Sequence, residues 1–556
     1  MRNAEPGPFN EAALLQMGVD VPQRTGLDGS GVLIGFVDYG FDILHPSLLD
    51  ATGSRSRFRC LWDQNASCEA EPAVGSAPAR ASDLDRAHLD ALVDRARREA
   101  SRAAADAIYD PHVNHFTRRG VGEGAHGTMM ASIAAGTPFA GFRGAAPGAE
   151  LIGVQLALPE HGWKEVDEGG VPTWVDWDPV AEPAWDGWRS YDESPNIVSA
   201  LDYLYARSVA LRVRALVINL SIGAWAGAHD GCSAVERKIA QLAARSESGE
   251  GPACAVVVVA GNAGADDGHF AASVSRAAPA DFHWRMGADD PTQNKLEIWY
   301  RSEAPLRVTL AAGEGGLWPT FSLTPGPTHP IRLGGRLVGI ADHVTPARGA
   351  LSRVRILLHP PYFPRWLAAA SAAEIAWRVR VEADDTETVV PLHAWVERDD
   401  GIIERSTLHP SHPTSTLAPF ACAEGVIAVA AYDHHAGGSG IFAASALGPL
   451  PWGRAGAEAP LVAAPGHRIW GAKSKTRGFA LTSGTSAACA LVSGAIALLM
   501  EKALREGKRP SREALIASLF VNARPEARRW TPRLGYGPAN IRRAMGEAIG
   551  ERTFAS

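Results

Sequence analysis

Apolar runs that begin or end on a single polar residue recur along this chain. Residues 31–37 form a short apolar run closed by Asp38 and Gly40, which predicts a buried strand with a carboxylate at its carboxyl end. Residues 255–259 predict a second hydrophobic strand, leading into a Gly-Asn-Ala-Gly turn that carries Asn262. Met129, Met130, Ala131, Ile133 and Ala134 predict an apolar helix that opens at His126. Ala490, Leu491, Val492, Ala495, Ile496, Leu498 and Leu499 predict a longer buried helix with Ser486 at its start. The Ala/Arg/Leu/Asp-rich stretch 82–108 predicts a charged amphipathic helix, whose mixed signs fit a solvated face better than a nucleic-acid stripe.

Between residues 275 and 410 the pattern changes. Segments 295–301, 306–311, 336–341, 353–359, 374–382 and 388–398 are short and β-branched or aromatic, with Gly/Pro-rich turns between them. Arg378-Val379-Arg380-Val381-Glu382 alternates polar and apolar, as a half-buried strand does. Together they predict a β-sandwich set into the chain. Residues 161–190 carry Trp163, Trp174, Trp177, Trp185 and Trp188 with no helical period, so they predict a loop that must bury its rings, either along a substrate groove or privately on its own domain.

The polar residues at the run boundaries are the candidate chemistry. A serine after a Gly-Thr turn can expose its hydroxyl while its backbone N–H points at developing negative charge. A histidine held by a buried carboxylate keeps one ring nitrogen free to take a proton. Each has a plainer reading alone: Ser486 as a helix cap, His126 as a core histidine, Asp38 as the cap of the next turn and Asn262 as a turn residue.

These segments, in the order Asp-His-Ser, resemble the subtilisin-like serine peptidases (subtilases). Asp38-Tyr39-Gly40, His126-Gly127-Thr128 and Gly484-Thr485-Ser486 match the family's three motifs. Asp42-Ile43-Leu44-His45-Pro46, Val217-Ile218-Asn219-Leu220-Ser221-Ile222-Gly223, Ala260-Gly261-Asn262, Ala464-Pro465-Gly466 and Gly535-Tyr536-Gly537 match its other landmarks. The resemblance implies an α/β fold, a mostly parallel sheet with helices on both faces, with the all-β sandwich inserted. That insert is similar to the jelly roll of spore-germination-type bacterial subtilases. The expected division is residues 1–270 and 421–556 for the two parts of the peptidase and 271–420 for the sandwich.

The resemblance also implies roles. Ser486 would be the nucleophile, His126 its base and Asp38 the group that orients the imidazole. Asn262 would donate to the oxyanion, and Ser221, Ile222 and Gly223 would pair with a peptide as an added strand. The chemistry would require no cofactor. Structural calcium is an open expectation, with Asp266-Asp267 and Asp289-Asp290 as acidic pairs that lack EF-hand spacing. The sequence departs from the family after the serine, where Ala487-Ala488-Cys489-Ala490 replaces Met-Ala-x-Pro, and at Met129, where a histidine is common. These changes keep a non-catalytic or tightly regulated scaffold as the alternative function.

Composition narrows the partners. With 556 residues the chain holds two or three domains, and 46% hydrophobic and 21% charged residues are ordinary globular values. A net charge of -7 gives no global reason to bind nucleic acid. The expected partners are a peptide or protein substrate and a separate inhibitor or regulatory protein, because about 25 residues precede the first strand, too few for an inhibitory prodomain. No secretory leader and no uncharged apolar span of 18 residues are read, and the six cysteines read as reduced. The expected location is the cytoplasm, with no membrane partner and with leaderless export left open.

Overall fold

The computed structural model describes residues 9–20, 24–64, 83–101, 104–105, 109, 125–157, 193–287, 294–302, 304–313, 319–333, 336–346, 350–358, 374–383, 389–397, 406–435, 440–453, 458–520 and 529–546. Its peptidase part is ordered as α1 (Glu11–Gln16), β1 (Val32–Asp38), β2 (Phe58–Asp63), β3 (Asp83–Asp85), α2 (Arg86–Arg97), α3 (His126–Ala135), β4 (Glu150–Gln155), α4 (Pro195–Ala210), β5 (Ala215–Leu220), α5 (Ala234–Ser248) and β6 (Ala253–Val259). The sandwich follows as β7 (His269–Val274), β8 (Ala280–Gly287), β9 (Asn294–Tyr300), β10 (Arg307–Ala312), β11 (Thr320–Leu323), β12 (Gly326–Leu333), β13 (Arg336–Val344), β14 (Ser352–Leu358), β15 (Glu374–Glu382), β16 (Val390–Val396) and β17 (Thr407–His409). The chain then returns through β18 (Ile427–Asp433), β19 (Gly440–Ile441), β20 (Val462–Pro465), β21 (Ile469–Ala472), β22 (Phe479–Thr482), α6 (Thr485–Arg505) and α7 (Arg512–Ser518).

The main sheet runs β19-β18-β6-β5-β1-β4-β2-β3, with β20 also paired to β18. β1 is parallel to β4 and β5, β5 to β6, and β6 to β18. Every residue of β1, β5 and β6 is buried, which is why these strands read as continuous apolar runs rather than alternating ones. Alternate residues still serve opposite faces. Val32, Ile34 and Phe36 pack in the cluster holding α3 and α6, whereas Leu33 and Val37 pack with Ile197 and Leu201 of α4 and Ile239 and Leu242 of α5. The expected mostly parallel sheet with helices on both faces is therefore present.

α6 is the central helix of one face. By length and composition alone it is long and apolar enough to cross a membrane, and 83% of that apolar window is buried inside the fold. α2 covers the first half of the predicted helix 82–108.

The sandwich has a five-stranded sheet, β11-β10-β15-β8-β17, and a six-stranded sheet, β12-β13-β14-β9-β16-β7, with antiparallel pairing throughout. Phe282, Trp284 and Trp377 of one sheet and Leu296, Ile298 and Tyr300 of the other fill the space between them. Its strands run from His269 to His409. The tryptophan-rich segment 161–190 and Asp289-Asp290 lie outside the described residues.

Candidate active site

The candidate residues gather at the carboxyl ends of three adjacent parallel strands, where open α/β sheets place their ligands. Asp38 ends β1, Ser221 follows β5 directly, and Asn262 lies three residues past β6. Two helix starts face these ends: His126 opens α3, and Ser486 is the second residue of α6.

Asp38 is fully buried. Its Oδ1 accepts from the Tyr39 N–H at 2.7 Å and from His126 Nδ1 at 2.6 Å. Because that carboxylate oxygen is already an acceptor, Nδ1 must carry the proton, which leaves the Nε2 lone pair available. The His126 side chain remains one-third exposed, at 34%. The local sequence holds it there. Gly127 N–H donates to Tyr39 O at 2.6 Å, Thr128 N–H and Oγ1 donate to Gly40 O at 2.9 Å, and Asp42 N–H donates to Thr128 Oγ1 at 2.7 Å. A Cβ on Gly127 would sit 2.9 Å from Tyr39 O, so only glycine permits this approach.

Ser486 Oγ donates to Ser221 O at 2.9 Å rather than to His126. Asn262 is locked through its oxygen, which accepts from Thr485 N–H at 2.9 Å and Thr485 Oγ1 at 3.0 Å. The amide nitrogen is thereby turned toward Gly484, where an added Cβ would approach Nδ2 to 3.1 Å. The arrangement sets a serine hydroxyl, an oriented imidazole and a fixed side-chain amide about the carboxyl ends of β1, β5 and β6.

The extended segment after β5 is anchored from below. Ser221 Oγ donates to Asn219 Oδ1 at 2.6 Å, and Asn219 Nδ2 donates to Ser493 Oγ at 2.9 Å and Cys489 Sγ at 3.3 Å. Burial pushes the Cys489 thiol up to about 12, so it is a protonated packing group rather than a nucleophile. Ile222 is buried, and a Cβ added at Gly223 would sit in ordinary van der Waals contact with Val259 at 3.6 Å.

Some positioning groups lay beyond the sequence reading. Thr485 and Asn219 stood inside the matched motifs without a role of their own, and Ser493, a small polar residue in an apolar run, had only that isolation as a signal. Glu397, from the sandwich, had none: its Oε1 accepts from Trp225 N–H at 2.8 Å and Ala226 N–H at 3.4 Å, and its Oε2 pairs with Lys295 at 3.3 Å. Of the acidic pair Asp266-Asp267, Asp267 Oδ1 is taken by the Ser411 hydroxyl at 2.6 Å.

A model of the subtilase family, peptidase S8, matches residues 29–286 and 409–537, more than half of the chain. No curated protein sequence matches. Among solved structures, the CspB protease of Clostridium perfringens is similar over 96% of each chain, with a TM-score of 0.68 and 20% sequence identity, which shows a shared fold. Sphericase is 14% identical with a TM-score of 0.40 over 93% of both chains. MycP1 from Mycobacterium smegmatis is 15% identical with a TM-score of 0.39, covering 100% of this chain and 89% of that one.

Proposed function

We propose that this chain, which belongs to the subtilase family and is a serine endopeptidase acting on peptide or protein substrates, works through Asp38, His126 and Ser486, with Asn262 in the oxyanion hole. The observation that carries this reading is the 2.6 Å hydrogen bond from His126 Nδ1 to the buried Asp38, beside a serine at a helix start and an amide locked by Thr485.

A peptide laid along Ser221-Ile222-Gly223 would donate a backbone N–H to Ser221 O, the acceptor that the Ser486 hydroxyl uses here. Substrate would thus release that hydroxyl toward His126 Nε2. Ser486 Oγ attacks the carbonyl carbon as Nε2 takes its proton, and the carbonyl electrons move onto oxygen. Asn262 Nδ2 and the Ser486 N–H donate to that oxygen. The imidazolium, held and stabilised by Asp38, returns the proton to the leaving amine. Water then repeats the sequence on the acyl-enzyme.

The Ser486 hydroxyl bonded to Ser221 O rather than to His126 is the observation that favours the alternative, a non-catalytic or tightly regulated scaffold. A fluorophosphonate probe tests the assignment. Labelling of the wild type that disappears in Ser486→Ala is expected, and a folded, peptide-primed wild type that stays unlabelled contradicts it.

A further inference from the structure

At the end of β18, remote in sequence from the catalytic residues, Asp433, His434 and His435 each present one ligand-capable atom, all within 4.8 Å of one another. The three differ in burial: His434 is 7% exposed, Asp433 half-buried and His435 open to solvent. His434 Nδ1 is a buried ring nitrogen with no hydrogen-bond partner among the described residues. Burying such a group unpaired is unfavourable, and a ligand at Nδ1 would relieve that cost. The surrounding bonds hold the cluster in place. Gln16 Nε2 donates to His434 O at 3.0 Å, and His435 N–H donates to Asp433 Oδ1 at 2.9 Å, which leaves the second carboxylate oxygen for coordination. The two imidazoles lie with centroids 3.9 Å apart, and the His467 ring stands 6.4 Å from that of His435.

From this geometry we propose that Asp433, His434 and His435 form a binding site for a borderline divalent transition cation of the zinc class. Two nitrogens and one carboxylate oxygen are the donor set such ions select, whereas calcium takes oxygen ligands almost alone. Ligand atoms around a tetrahedral zinc stand about 3.3 Å apart, given bonds of about 2.0–2.1 Å, so small side-chain rotations from the present separations suffice. Water or His467 would fill the fourth position. The site connects to the serine turn through the backbone: Gly466 N–H donates to Tyr432 O at 3.0 Å, and Gly484 N–H donates to Gly466 O at 2.8 Å. A bound ion would therefore brace the turn that presents Ser486.

Equilibrium dialysis of the full chain against Zn2+, in chelator-free buffer with calcium in excess, tests this. Saturable binding that calcium does not displace is expected, with a rise in melting temperature. His435→Ala, a change at an exposed position that leaves the core intact, is expected to weaken the affinity by more than about tenfold, and Asp433→Asn likewise. Substitution with Co2+ is expected to give the visible bands of a low-coordinate nitrogen/oxygen site in the wild type only. Absence of saturable binding, displacement by calcium, or unchanged affinity and spectrum in folded His435→Ala would overturn the proposal. Because dialysis and spectra do not read peptidase activity, these results stand apart from the fate of the triad assignment.

Discussion

At the scale of single residues, the site depends on groups that hold the reacting ones still. In the proposed assignment Asn262 serves as a donor only while Thr485 occupies its oxygen; a free amide could flip. Asn262→Ala is expected to lower kcat about 10²–10³-fold with little change in KM, the magnitude known for the subtilisin asparagine, because the donor acts on charge that develops during reaction. Thr485→Val is expected to reproduce part of that loss by releasing one of two constraints. Steady-state kinetics on a short peptide checks both, and a change confined to KM would place Asn262 in ground-state binding. Asp38→Asn is expected to lower kcat about 10⁴-fold, since an amide can present N–H to Nδ1 and stabilise the wrong tautomer. Retained activity in that variant would remove Asp38 from the chemistry.

At the scale of elements, legibility followed burial. β1 and β6 stood out because both faces are covered, and α3 and α6 because their apolar runs start at the polar groups in question. β15 was read to its ends because it alternates. β7 was missed because Phe270-Ala271-Ala272-Ser273 is poor in β-branched residues, and its strand state comes from pairing with β16. β12 carries Pro327 and Pro330, which argue against a strand; it lies at a sheet edge, where a missing N–H leaves no ladder bond unmade. Glu397 was illegible because its partners lie 171 and 172 residues away. It carries an element-scale prediction. Glu397→Ala leaves Lys295 buried without this partner and frees the backbone two residues beyond Gly223. Loss of a buried pair is destabilising by about 3–5 kcal/mol. Urea unfolding should show that loss, and the milder Glu397→Gln, which keeps one carbonyl acceptor, should keep the fold while raising KM for extended peptides. An unchanged KM would mean that the Trp225 loop does not shape the substrate edge.

At the scale of the whole molecule, the sandwich and the peptidase meet through more than two chain crossings. Trp395 Nε1 donates to Ser415 O at 2.9 Å, and His412 N–H donates to His269 O at 2.6 Å. Around Trp395 lie His229 from the peptidase and His269 and His393 from the sandwich, with ring centroids 4.1, 4.9 and 5.3 Å away. His269 and His393 share one hydrogen bond of 2.9 Å between ring nitrogens, which needs a neutral acceptor. Burial first, then the neighbouring His229 and His412, pushes His393 down from the ordinary value of 6.5 to about 4. Burial lowers His269 and His229 as well, the latter against carbonyl contacts and the charges of Glu297 and Glu397 that favour its cation. Each depressed value means that the unfolded chain binds the proton more readily than the folded one. The junction's contribution is therefore fully present above about pH 6.5 and is lost as pH falls through about 4. Charging would also set like charges face to face across the stack. Melting curves between pH 8 and pH 4.5 should show a falling midpoint, with a shallower slope in His393→Gln, by less than one proton, across that window. The loss should appear in cleavage of extended peptides as well, because the same β16 segment carries Glu397 to the loop beyond Gly223. Equal slopes in wild type and variant would show that the histidine stack does not set the acid limit of the molecule.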